Sequence, residues 1–141
     1  ICLGWQKNQY DENKTINLEK FNIAIVTGKN SDLSVLDIDI KDNGLDYFQR
    51  LCTENYYNYT TETLAVVTPT NGIHLYFKYN DKLEKNSVRI KDEKGNNIGL
   101  DIRTDSGCVI APPSNYEWGS YAFLCLKSPQ PMPKFINDLF C

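Results

Sequence analysis

The chain has 141 residues, the size of one domain, and 41% of them are hydrophobic. No apolar run approaches the roughly 20 residues of a membrane-spanning helix, and the apolar and aromatic content is too high for a disordered chain. With 15 Lys plus Arg against 18 Asp plus Glu, the formal charge is −3, which argues weakly against a protein that grips nucleic acid by basic charge alone.

The five cysteines are odd in number, and no two of them stand at C-x-x-C spacing. A zinc ribbon or a thioredoxin-like motif therefore has no support. Reduced cysteines are typical of intracellular proteins, so we expect a location in the cytoplasm or nucleus. The first residue is Ile rather than Met, and we interpret residues 1–141 as a single domain taken from a longer protein.

The N-terminal third predicts a loop and two strands. Residues 6–20 are polar and weakly patterned, which is typical of a loop. Residues 22–27 are rich in β-branched side chains and end at Gly28, and residues 33–40 form a second apolar run. Asn43 is then expected to cap a helix over residues 44–52, whose apolar residues share one stripe.

The rest of the chain is dominated by predicted strands, with a turn at Asn71-Gly72 and a last helix opened by Pro133 as its first residue and running to residue 140. The predicted strands cover residues 64–68, 73–79, 87–90, 98–103, 108–111 and 121–126. Strands joined by short turns, with two or three helices, predict an α+β fold with a mixed, mainly antiparallel sheet.

Two acids share one face of the second predicted strand. Alternation places Asp37 and Asp39 about 7 Å apart between apolar neighbours, where unpaired charges are costly. Carboxylates this close repel each other unless a cation lies between them, and hard oxygen ligands suit Mg²⁺ or Mn²⁺. The alternative is that the strand ends in solvent with both acids exposed.

Asp101 is a third carboxylate in an otherwise apolar strand, and Arg103 faces the same side. A local ion pair between them is the simpler interpretation. His74 is the single histidine of the chain and opens a strand directly after a turn, on a face shared with Tyr76 and Lys78. An imidazole there could donate to a triphosphate oxygen, or it could be an ordinary core or surface histidine.

The loop after the first predicted strand contains Gly28, Lys29 and Ser31. Glycine permits positive φ, and exposed backbone N–H groups with a lysine and a serine can meet phosphate. The G-x-x-x-x-G-K-[ST] frame of a P-loop is absent, so an ordinary connecting loop is the alternative.

Three runs of the chain follow one another in order: NIAIVTGKNSDLSVLDIDI, TPTNGIHLYF and IGLDIRTDSGCVIAPPS. Together they resemble the primase-polymerase domain of the archaeo-eukaryotic primase superfamily, most closely the bifunctional primase/polymerase N-terminal domains of plasmids, phages and large DNA viruses. Those domains carry a glycine–serine loop before a D-x-D or D-x-E strand, then G-x-H before an aromatic strand, then a D-I-R strand leading to a P-P-S turn. The resemblance covers residues 22–114 and continues weakly into residues 133–140.

The resemblance implies an RRM-like catalytic core joined to a small N-terminal α/β unit, with the site in the cleft between them. Asp37, Asp39 and Asp101 would hold two divalent ions, Mg²⁺ or Mn²⁺. His74 would bind the phosphates of the incoming nucleotide. Arg103, with Gly28, Lys29 and Ser31, would support that contact.

The implied reaction is nucleotidyl transfer on a single-stranded DNA template from NTP or dNTP in DNA replication, with a helicase on the same chain or in complex. An alternative from another class is a nucleotide- or nucleic-acid-binding module of a replication helicase assembly, with little catalysis of its own. A metal-dependent phosphodiesterase on a similar site is a third interpretation.

Overall fold

The computed structural model describes residues 21–83 and 90–140. Within these ranges the chain forms nine strands and two α-helices, α1 (Gly44–Glu54) and α2 (Lys134–Asn137). The strands are β1 (Ile23–Val26), β2 (Leu33–Ile38), β3 (Leu64–Val67), β4 (Ile73–Lys78), β5 (Leu100–Arg103), β6 (Cys108–Ala111), β7 (Asn115–Tyr116), β8 (Gly119–Ser120) and β9 (Ala122–Cys125). None of the helices in these two ranges has the length and apolar character needed to cross a membrane.

Five strands form the central sheet, in the order β5-β2-β4-β3-β9. Every pairing between these strands is antiparallel. The parallel pairing found in the described ranges is an isolated bridge between Phe77 and Gln130. The prediction of a mixed α+β fold with a mainly antiparallel sheet is therefore confirmed.

The main core lies between this sheet and the helices. Alternate residues of the central strands face α1, because the side-chain period of a strand is two, and α1 presents its apolar stripe to them. The fully or almost fully buried residues of this core include Leu36, Ile38, Phe48, Cys52, Leu75, Phe77, Leu100, Ile102 and Ile136. The predicted stripe of α1 is confirmed by its buried Phe48 and Cys52, with Leu45 packed against the core.

The opposite face of the sheet carries a smaller apolar cluster of Val35, Val66, Tyr76 and Val109. The last of these belongs to β6, which pairs with β1 in a separate two-stranded ribbon. The ribbon therefore packs over part of the sheet face that the helices leave uncovered.

Several predicted boundaries differ from the structure. Strand β2 ends at Ile38 rather than residue 40. Asn43 precedes α1 with left-handed backbone angles (φ 58°, ψ 28°) and its side chain makes no capping hydrogen bond, so the predicted side-chain cap is wrong. Pro133 lies just before α2, with ψ 148°, rather than inside it. The predicted loop at residues 6–20, and the predicted strand at residues 87–90 apart from Ile90, lie outside the described residues.

Candidate active site

A single row of residues crosses the sheet face that lies opposite the helices. The register pairs Asp37 of β2 with His74 of β4 on one side and with Asp101 of β5 on the other. Directly paired residues of antiparallel strands project from the same face, with Cα atoms about 4.5–5.5 Å apart. Three groups that are distant in sequence are therefore immediate neighbours in the fold.

His74 contacts the first of these acids. Its Nε2 lies 3.3 Å from Oδ1 of Asp37, whose side chain keeps 26% of its surface exposed while that of His74 keeps 7%. The other ring nitrogen, Nδ1, is buried and has no hydrogen-bond partner among the described residues. The imidazole is thus held in the sheet with Nε2 directed at the carboxylate.

The turn before β4 brings His74 to this position. Asn71 adopts φ 63°, and the N–H of Gly72 donates to Oγ1 of Thr68 at 3.0 Å. A Cβ atom at Gly72 would lie 2.6 Å from the carbonyl oxygen of Ile38. The glycine therefore allows this turn to pack against the end of β2, which confirms the predicted Asn-Gly turn.

Asp101 has a cationic neighbour of its own. Its Oδ2 lies 3.3 Å from Nη2 of Arg103, and both side chains are partly exposed. The register places Arg103 opposite Val35, one step along the same face from the Asp37–Asp101 pair. The local ion pair considered from sequence is present, and it belongs to the same row of charged groups.

Asp39 follows directly after β2, and its N–H donates to the carbonyl oxygen of Gly99 at 2.9 Å. The residue is exposed overall, yet partial burial of its carboxyl group, and then the negative charges of Asp37 and Asp101, raise its pKa. The three acids are therefore close enough to repel one another, and a cation among them would relieve that repulsion.

The side chains are not arranged as a ready-made metal centre. In residues 21–83 and 90–140 no three His, Cys, Asp or Glu side chains converge on a point that could hold an ion. Asp37 contacts His74 and Asp101 contacts Arg103, so these two carboxylates each have an ionic partner within the protein. The donor set itself, three partly exposed carboxylates, is the chemistry that Mg²⁺ and Mn²⁺ prefer.

The glycine–lysine loop lies at the other end of β2. Ser31 precedes the strand and Asp37 lies near its end, and the four steps from Leu33 to Asp37 span about 13 Å. Within the loop, Oγ of Ser31 donates to the carbonyl oxygen of Gly28 at 3.1 Å. The fold does not bring Gly28, Lys29 and Ser31 together with the three acids.

Asp105 holds this loop in place, and sequence reasoning missed it. Its Oδ1 accepts the N–H of Lys29 at 2.9 Å and its Oδ2 accepts the hydroxyl of Tyr79 at 2.7 Å. Gly28 adopts φ 114°, and a Cβ atom there would collide with Asp105. An Asp followed by Ser-Gly is a turn signal in the sequence, but nothing local indicates its contact with a loop 76 residues away.

The hydrogen bond from the N–H of Lys29, then that from Tyr79, holds the pKa of Asp105 below its ordinary value of 3.8. The unfolded carboxyl binds a proton more readily, so this stabilisation is present above pH 3.8 and is lost as the pH falls through the folded-state pKa. We expect Asp105→Asn to lower Tm by a few degrees at pH 7 and to show a smaller loss of Tm from pH 6 to pH 3. Thermal melts at both pH values measure this. Asp81→Asn, an exposed neighbour, is the control, and an unchanged pH dependence in Asp105→Asn would contradict the role.

Tyrosines border the imidazole. The ring of Tyr121 lies 5.8 Å from that of His74, and Tyr76 is 6.5 Å away on the same strand face. Burial, then the nearby Tyr121 and Asp37, raises the pKa of the Tyr76 hydroxyl. Alternation along β4 predicts Tyr76 on the face of His74, but Tyr121 is one of nine tyrosines in the chain and only its ring contact in the fold identifies it.

A family model described as "bifunctional DNA primase/polymerase, N-terminal" matches residues 3–135. No curated protein matches the chain. The family match spans Asp37, His74 and Asp101, here called the acid row, and also the loop of Gly28, Lys29 and Ser31.

Proposed function

The chain belongs to the family of bifunctional DNA primase/polymerase N-terminal domains, and from that premise we propose that it catalyses template-directed nucleotidyl transfer, making or extending primers on single-stranded DNA. Membership indicates a primase/polymerase role in general. The observation that carries the finer proposal is the row of Asp37, His74 and Asp101 on three neighbouring strands. We also propose that the sheet with helices on one face is the RRM-like catalytic core of this superfamily.

In the proposed reaction a 3′-hydroxyl attacks the α-phosphorus of a nucleoside triphosphate and pyrophosphate leaves. The chemistry needs charge neutralisation and alignment rather than a nucleophilic side chain. Two bound divalent cations would stabilise the attacking and leaving oxygens. Asp37, Asp39 and Asp101 would hold them, since their mutual repulsion in the absence of a cation favours positive charge at this place.

His74 and Arg103 supply donors beside the acids. Nε2 of His74 already faces a carboxylate oxygen at 3.3 Å, and an imidazole N–H in that position suits a phosphate oxygen. The guanidinium of Arg103 adds a fixed positive charge one step along the same face. A phosphate contact from Gly28, Lys29 and Ser31 stays a prediction. Their loop precedes Leu33, which lies roughly 13 Å along β2 from Asp37, and this separation disfavours the contact.

The test is incorporation of labelled NTP or dNTP on a single-stranded DNA template, with and without an annealed primer, in the presence of Mg²⁺ or Mn²⁺. Products that require template and cation support the proposal, and the two arms separate priming from extension. Binding of template and nucleotide without incorporation would favour the alternative, a binding module of a replication assembly. Hydrolysis of phosphodiesters without incorporation would favour a phosphodiesterase.

His74→Ala is expected to raise the KM for nucleotide about 10- to 100-fold, the loss of one charge-assisted hydrogen bond to phosphate, with a smaller change in kcat. Steady-state incorporation over a range of nucleotide concentrations measures both constants. Lys78→Ala, an exposed change on the same strand, is the matched control. An unchanged KM in His74→Ala would remove the histidine from the phosphate site.

A further inference from the structure

A pair of stacked rings, one half-buried and one exposed, lies on the hairpin of β7 and β8. The rings of Tyr116 and Trp118 are 4.9 Å apart and inclined by 18°, so they stack face to face. Trp118 nevertheless keeps 69% of its surface exposed. A large apolar ring that is fixed by a neighbour and left in solvent is available to a further flat partner.

The stacked pair leads towards the acid row. Tyr116 meets Tyr121 edge to face at 6.4 Å, and Tyr121 lies 5.8 Å from His74. A continuous line of aromatic rings therefore runs from the surface of the hairpin to the imidazole beside Asp37.

A second exposed ring lies at the β9 end of the same row. The register pairs Phe123 of β9 with Val66 of β3, and Val66 with His74. Phe123 is thus on the same face as His74, two strands or about 10 Å away, and it is 53% exposed. Tyr116, Trp118 and Phe123 are here called the aromatic platform. Phe123 ends the row on the side of β9, and Asp101 ends it on the side of β5. The stacked pair of Tyr116 and Trp118 reaches the row through Tyr121.

We propose that the aromatic platform binds the single-stranded template by stacking on its bases, next to the residues that carry the reaction. The choice of this partner rests on the proposed function, while the stacking surface rests on the ring geometry. Base stacking tolerates any sequence, because every base has a flat π face. Stacking also suits a chain of net charge −3 with three arginines, because it does not depend on basic side chains. The acidic Glu117, between Tyr116 and Trp118 in sequence, disfavours phosphate binding at this place.

The test measures the affinity of the whole chain for a fluorescently labelled oligo-dT of about 12 nucleotides and for an abasic oligonucleotide of the same length. Fluorescence anisotropy is read without nucleotide or cation, so that binding is separated from catalysis. Trp118→Ala and Phe123→Ala are each expected to weaken oligo-dT binding roughly 5- to 100-fold. Neither change should alter binding of the abasic strand, because that strand has no bases to stack.

Two control variants separate the effect of an aromatic ring at position 118 from the effect of removing an exposed ring elsewhere. Trp118→Phe retains a stacking face and should bind within about twofold of the unmodified chain. Tyr56→Ala removes a ring that is 99% exposed just beyond α1, and it should have no effect. Circular dichroism and Tm check that each variant is folded.

Three results would overturn the platform: unchanged oligo-dT affinity in Trp118→Ala, an equal loss for the abasic strand, or a dimer of the chain that dissociates when Trp118 is replaced. The last would assign the surface to a second copy. If the unmodified chain incorporates nucleotide but Trp118→Ala binds oligo-dT normally, the platform fails and the proposed function stands. If Trp118-dependent binding persists without incorporation, the proposed function fails and the platform stands.

Discussion

Asp37→Asn is expected to reduce nucleotide incorporation about 10³-fold or more, because a cation ligand that stabilises the transition state contributes several kcal/mol. The variant should stay folded. Asn has the shape of Asp, and its neutral amide ends the repulsion between position 37 and the carboxylate of Asp39. Primer extension at saturating Mg²⁺ or Mn²⁺ measures the loss of incorporation. The Tm in the presence of a chelator measures whether the variant stays folded.

The matched control is Asp46→Asn, an exposed acid in the first turn of α1, on the other side of the sheet. It should retain full incorporation. Asp101→Asn should match Asp37→Asn, because the two acids are direct partners across β2 and β5. Full activity in either Asp37→Asn or Asp101→Asn would refute the assignment of these carboxylates as cation ligands.

Gly44→Ala is expected to destabilise the fold by about 3 kcal/mol, the upper end of overpacking penalties. Gly44 opens α1 with ordinary helical angles (φ −58°, ψ −41°), so helix propensity alone would favour alanine. However, a Cβ atom there would collide with the carbonyl oxygens of Gly99 and Asp39. Since these are backbone atoms, neither can rotate away, and we expect the steric cost to decide the sign. Urea denaturation measures the change in the free energy of unfolding.

Gly95→Ala is the complementary control. This glycine has φ 83°, but a Cβ atom there would have no described residue within 4 Å. Alanine there costs only the strain of a left-handed residue, about 1 kcal/mol. If Gly44→Ala proves neutral or stabilising, the close packing of the start of α1 against the start of β5 is incorrect.

The two faces of β2 could be predicted from sequence because they depend on local alternation alone. Leu36 and Ile38 are buried against the helices, and Asp37 lies on the opposite face, as expected. The meeting of Asp37 with His74 and Asp101 depends on strand register, which is set by turns far along the chain. The family resemblance, and not strand periodicity, predicted that Asp37, His74 and Asp101 lie together.

Other features depend on tertiary contacts that leave no local signal. The sequence predicts β2 to run to residue 40, but the strand ends at Ile38. The N–H of Asp39 still donates to Gly99 beside β5, while its carbonyl oxygen accepts from the N–H of Leu45 in α1. The loop at Gly28 has the composition of a phosphate-binding loop, yet its N–H groups are bound within the protein by Asp105 and Leu33. The exposed aromatic rings are unremarkable in a chain with 12% aromatic residues.

The alternating faces of β2 also restrict how this chain can tolerate insertions and deletions. Asp37 lies between Leu36 and Ile38, both fully buried, so adding or removing one residue in the strand would exchange the two faces. A carboxylate would then enter the helix-side core and an aliphatic side chain would replace it beside His74. Changes of length should therefore be tolerated only outside the sheet, for example in exposed connections between its strands.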